Sequence, residues 1–269
     1  RVGFTRYFIS LEDYLCLRDA VPDMEVCDLA GVCYQLRSVK DEDEIEKMRM
    51  AGKALAAGMQ AAIDCVKPGM MEVEVLAEAE YAMTRSGSQG SSFRMQVLTH
   101  SRQMHKHPYA SRAILEDNAP VVIHLGASCE GYVAKMCRTV FLGRPDPESV
   151  RIYETLKRAQ KLAVAALSPG VTCGEIYDKS TEYVASQGFK KYWVMNHIGY
   201  GVGIRQSEFY PIIAKDSQTV LEENMVVDLL LPSIYVPKLG GPRITDTILI
   251  KKEGVEYLTQ YPAETVFKA

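Results

Sequence analysis

The stretch 121–139, "VVIHLGASCEGYVAKMCRT", reads as two buried strands joined by a turn, yet it carries His124 and Lys135, eleven positions apart. Strand parity puts Val133, Lys135 and Cys137 on one face and Tyr132, Ala134 and Met136 on the other. A buried ammonium is costly unless it has an anion partner, a lowered pKa or a water-filled pocket. The plain alternative is a strand end from which Lys135 reaches solvent along its aliphatic stem. Cys137 shares the Lys135 face and is a nucleophile if cationic neighbours favour its thiolate. The commoner role for such a cysteine is a small buried apolar residue.

The five histidines, His100, His105, His107, His124 and His197, all lie in or beside segments that read as strands. A single such histidine is more often structural than catalytic; five placed this way make a site and a structural role equally good readings. His197 sits in "VMNHIGYGVGIRQSE", where Gly199, Gly201 and Gly203 remove side-chain bulk and let backbone approach a ligand. Those glycines do not have the GxGxxG spacing of a dinucleotide loop, and no strand–turn–helix unit surrounds them.

These residues need elements to hold them. Residues 1–38 read as strand, helix, strand, with "MEVCDLAGVCYQLR" as the second strand, and look like the tail of an α/β domain. Ile45, Met48, Leu55, Met59, Ile63 and Val66 recur at helical spacing, so a helix ends before Pro68-Gly69. Further helices are expected over about 72–85, from Pro147 to Ser168, and over about 173–186. Strands fill most of the rest. The order repeats: Pro68 and Pro169, Gly69 and Gly170, Glu74 and Glu175, and Gly87 and Gly188 are each 101 positions apart. Duplicated helix–strand halves imply an α+β fold around a curved antiparallel sheet, with a cleft between halves as the natural ligand site.

Composition excludes some classes. A net charge of −3 over 269 residues gives no footprint for nucleic acid or membrane surface. No apolar run reaches the roughly 20 residues of a membrane span, and no signal peptide is visible. Seven scattered cysteines without a CxxC pair suggest a reducing, cytoplasmic compartment. The chain begins with Arg1, which suggests a processed, split or fragmentary product.

Four segments resemble one family, that of creatinase, prolidase, aminopeptidase P and methionine aminopeptidase, whose fold is called pita-bread. They are "LRSVKDEDEIEKMRMAG", typical of the creatinase–prolidase branch; "GYVAKMCRTVFLG", like GYxxDxxRTxxxG; "NHIGYGVG", like GHGIGxGxH; and "NMVVDLLLPSIYVP…GGPRITDTILI", like GMVxxxEPGxY…GxRxEDTxLV. The likeness spans about 36–258. It implies a remnant of an N-terminal α/β domain plus linker over 1–38 and a pita-bread domain over 39–269. The family's metallopeptidases hold two divalent metals with two Asp, one His and two Glu. By resemblance these positions fall on His124, Lys135, His197, Leu231 (or Leu230) and Thr245. Two close divalent ions need bridging carboxylates to offset their repulsion, so the expectation is no catalytic metal and no other cofactor. A single zinc on His107, His124 and His197 is disfavoured by Lys135 beside it.

Creatinase, the metal-free relative, uses a histidine base whose counterpart here is His107. Its two guanidinium-binding glutamates fall on Cys137 and about Leu231, so an anionic or polar ligand fits better than a guanidinium. The expected function is a metal-independent hydrolase of a C–N bond in a small anionic or polar molecule or short peptide. His107 and His197 serve as acid/base, and Lys135 binds a carboxylate or oxyanion, or acts as base or Schiff-base nucleophile. His124, Cys137, Arg243, Thr245 and His105 complete the expected binding set. The alternative is a non-catalytic binding or scaffold protein on a peptidase fold. The resemblance also implies a homodimer, or a separate chain supplying the rest of the N-terminal domain.

Overall fold

The computed structural model describes residues 1–5, 9–105, 108–193, 195–230 and 234–269. At the N-terminus β1 (Val2–Phe4) and β2 (Val26–Asp28) pair in parallel, connected through α1 (Leu11–Ala20). The second expected strand is corrected: only its first part is β2, and Ala30–Leu36 form α2. The Asp28 carboxylate accepts the Ala30 N–H at 2.9 Å, and this local bond turns the chain into a helix despite the β-prone "GVCY".

The long helix α3 (Glu42–Cys65) starts at a reciprocal cap: the Asp41 side chain accepts from Glu44 N–H, and Glu44 accepts from Asp41 N–H. Its buried face includes Ile45, Met48, Leu55, Met59 and Ile63. After a turn comes α4 (Glu72–Arg85), then β3 (Gln96–Leu98), β4 (Pro120–Cys129) and β5 (Tyr132–Leu142). The second half runs through α5 (Pro147–Ala166), α6 (Cys173–Ser186), β6 (His197–Gly201), β7 (Ile212–Ala214), β8 (Val226–Leu229) and β9 (Asp246–Ile250). Two short strands follow, β10 (Val255–Tyr257) and β11 (Val266–Lys268).

The repeat read from the sequence is physical. Gly69 and Gly170 both have positive φ, 84° and 91°, and so do Gly87 and Gly188, 98° and 85°. Glu74 and Glu175 each accept a backbone N–H at the start of their helix. Met71 bridges to Ile114 as Thr172 bridges to Val220.

Each half lays its helices on its own strands. The first core joins α3 and α4 to β3, β4 and β5; the second joins α5 and α6 to β6, β8 and β9. The strand orders are β11-β5-β4-β3 and β10-β9-β8-β6-β7. Pairing is antiparallel in both sheets except where β11 lies parallel to β5. The halves meet where Cys137 on β5 bridges Thr245 beside β9, with N–H···O distances of 3.0 and 3.2 Å. Among the described residues no helix is long and apolar enough to cross a membrane.

Candidate functional site

The β4–β5 hairpin turns at Glu130 and Gly131, both with positive φ, and pairs His124 with Cys137 and Gly126 with Lys135. That register puts His124, Lys135 and Cys137 on one face, next to the seam between the halves. Thr247 on β9 closes the seam: its hydroxyl accepts the Lys135 N–H at 2.9 Å and donates to the Lys135 carbonyl at 3.0 Å.

Lys135 is buried, and its ammonium lies 2.6 Å from the Asp228 carboxylate on β8. The sequence reading asked for an anion partner, a pKa shift or water; the structure supplies an anion from the other half of the chain. Burial raises the Asp228 carboxyl above its ordinary value, with Lys135 pulling the other way. Asp228 was not among the expected site residues. The signal was there in "NMVVDLLLP", a lone carboxylate inside an apolar strand, open to the same cost argument that singled out Lys135.

His124 packs its ring on Phe93 at 4.6 Å between centroids, and its buried Nε2 has no hydrogen-bond partner among the described residues. Burial holds its pKa well below the ordinary value, and Lys135 and Arg243 push the same way. Arg243 donates to Gln96 Oε1 at 3.2 Å and to the Gln103 carbonyl at 3.0 Å, and lies over the Tyr235 ring. Cys137 is fully buried, and burial pushes its thiol up to about 12, so at neutral pH it is not a thiolate. Thr245, also buried, faces Cys137 across the seam.

His197 opens β6. Its Nε2 meets the Tyr200 hydroxyl at 2.6 Å and its Nδ1 lies 3.3 Å from Asn196 Oδ1. Partial burial lowers its pKa, with Asp228 opposing. The glycines beside it were expected to bring backbone near a ligand, but at two of them it is neighbouring backbone that comes close: a Cβ on Gly199 would lie 2.2 Å from the Asp228 carbonyl oxygen, and one on Gly201 equally close to the Tyr210 carbonyl. The space is used for backbone packing between strands. His105 is exposed, in the loop after the short 3-10 turn at His100–Arg102. His107 and Leu231 lie outside the described residues; Leu230 donates its N–H to the Ile198 carbonyl.

The comparisons with known proteins give this geometry a lineage. Residues 46–252 match the metallopeptidase family M24. The chain belongs to that family. It is 36% identical to the Xaa-Pro dipeptidase of Pyrococcus furiosus over 87% of its own length and 66% of the relative's. The chain thus spans about two-thirds of that M24 enzyme. Its fold superimposes on an Xaa-Pro dipeptidase from Bacillus anthracis with a TM-score of 0.91 at 30% identity, covering 99% of this chain and 74% of that one. The prolidase from Pyrococcus horikoshii gives a TM-score of 0.91 at 33% identity, covering 98% and 75%. The fold is therefore the pita-bread fold of M24.

An M24 name raises the question of metal. Among the described residues no group of three or more His, Cys, Asp or Glu is placed to hold an ion. The carboxylate that faces the site, Asp228, is already engaged by an ammonium. Lys135 puts positive charge where a dinuclear centre needs negative charge, so the described side chains do not fit two divalent cations.

Proposed function

We propose that this M24 chain is a peptidase-type hydrolase that cleaves the C–N bond of a short peptide or small anionic amide without a divalent metal. The observation that carries the reading is the Lys135–Asp228 pair: the site's cation is part of the chain. The relatives' names, Xaa-Pro dipeptidase and prolidase, point to Xaa-Pro dipeptides as the first substrates to try.

In this reading His197 is neutral at pH 7, because burial lowers its pKa, and Nε2, the nitrogen that meets the Tyr200 hydroxyl, is the one that accepts a proton. Water attacks the amide carbonyl carbon and gives a proton to His197. The C–N bond then breaks and the proton passes to the departing nitrogen. Lys135 and Arg243 supply positive charge for the oxyanion or the substrate carboxylate. His107 is the second acid/base candidate on resemblance. The second reading, a binding protein without turnover, draws on the burial of Lys135, which leaves its ammonium little room to meet a substrate.

The test is hydrolysis of Ala-Pro and related dipeptides by protein purified through EDTA. The expected result is turnover unchanged by EDTA, not raised by Mn²⁺, Co²⁺ or Zn²⁺, and lowered about 100-fold or more in His197→Ala. Turnover that needs stoichiometric metal overturns metal independence. Binding of dipeptides without turnover favours the second reading.

A further inference from the structure

Asp228 stands where the two candidate groups of the site come together. One oxygen, Oδ2, is 2.6 Å from the Lys135 ammonium; the other, Oδ1, accepts the Tyr200 N–H at 2.9 Å. Tyr200 in turn holds His197 Nε2 through its hydroxyl at 2.6 Å. Lys135 is on β5 of the first half, whereas Asp228, Tyr200 and His197 are on β8 and β6 of the second. One carboxylate therefore fixes a cation from one half and, one residue removed, a histidine from the other.

The carboxylate is itself held rigidly. Asp228 is fully buried, pairs with Tyr200 across β6–β8 and with Thr247 across β8–β9, and its carbonyl packs against Gly199 with no room for a Cβ. The Tyr200 ring also meets Phe209 edge-on, at 5.8 Å and 77°, and Phe209 meets Tyr34 of α2 at 6.0 Å. Stability alone does not account for a charged pair at this place, because a buried ion pair can be replaced by apolar residues of similar volume at little cost. We propose that Asp228 is the positioning residue of the site, setting Lys135 directly and His197 through Tyr200. This rests on the roles given to His197 and Lys135 above.

The test uses Asp228→Asn, Lys135→Met and the double variant Asp228→Leu/Lys135→Met, each compared with wild type. Three readouts separate the possibilities: thermal unfolding, Ala-Pro hydrolysis, and the ¹⁵N resonances of the His197 ring. Each single variant strands one buried partner and is expected to lower Tm by about 10 °C, whereas the double variant recovers most of that loss. Activity is expected to fall about 100-fold in all three and to stay low in the double variant. The His197 ring resonances are expected to move in the stable double variant, because Tyr200 has lost the acceptor for its N–H. Wild-type His197 resonances, or wild-type activity, in that variant overturn the positioning role. Independent Tm effects of the two single variants overturn the coupling. If wild type itself hydrolyses nothing, the hydrolase reading fails, while the Tm cycle and the His197 resonances still decide whether Asp228 positions these groups.

Discussion

At the scale of single residues, the site is a set of buried polar groups whose charge states are set by burial as much as by neighbours. His124 is the clearest case. Its imidazole is kept neutral when folded, while the unfolded chain's histidine protonates near pH 6.5. A depressed folded pKa means that its contribution is intact above the unfolded value and lost as pH falls below it. The wild-type protein should therefore lose up to about 1.4 kcal/mol of stability per pH unit between pH 6.5 and 5 from this group. His124→Gln should flatten that slope by up to one proton, read from urea titrations at several pH values. An unchanged slope would mean that His124 protonates in the folded state. The histidines were legible in the sequence as a group, but their ranking was not: His105 is exposed, whereas His124 is half-buried with its Nε2 enclosed, although both lie near strands.

At the scale of elements, the local chemistry of turns and caps was the most readable part of the chain. The Pro-Gly turns, the Glu74 and Glu175 caps and the two-residue hairpin at Glu130-Gly131 all follow from residue type and spacing. Residues 29–36 misled because β-prone side chains in a short segment, buried only at Ala30 and Tyr34, carry little weight against local hydrogen bonding such as that from Asp28. The glycines of "HIGYGVG" were readable as places of close approach, but what approaches was not. At Gly199 it is the backbone of β8. Gly199→Ala should force β6 from β8 and cost about 1–3 kcal/mol, with a lower midpoint in chemical denaturation. Wild-type stability in that variant would show that the two strands can part without penalty.

At the scale of the whole molecule, two buried ion pairs run from opposite faces of β5 to the sheet of the other half and clip the halves together. Lys135–Asp228 lies on the site face. Arg138, three residues further along β5, turns to the other face and meets Asp246 on β9 at 2.8 Å. Gln160 and Thr259 also donate to Asp246, at 3.0 and 2.9 Å, and Arg138 donates to the carbonyls of Tyr261 and Pro262. Asp246→Ala leaves the guanidinium buried without its counter-charge and should cost about 3–5 kcal/mol. Calorimetry would read this as a lower Tm for the whole domain; a loss confined to the C-terminal segment would show that the pair does not hold the halves together.

The sequence by itself determined the duplicated halves, the hairpin and the strand parity that groups His124, Lys135 and Cys137, because turn chemistry and alternation act over a few neighbouring residues. It also set the alternatives for Lys135, a buried ammonium that needs compensation or a strand end that reaches solvent, since the cost of burying a charge follows from the residue type. Only the tertiary structure decided what compensates it. Asp228 is 93 positions away in the chain and 2.6 Å away in space. Coulomb attraction acts between atoms wherever the fold brings them, and only the meeting of the two halves brings these together.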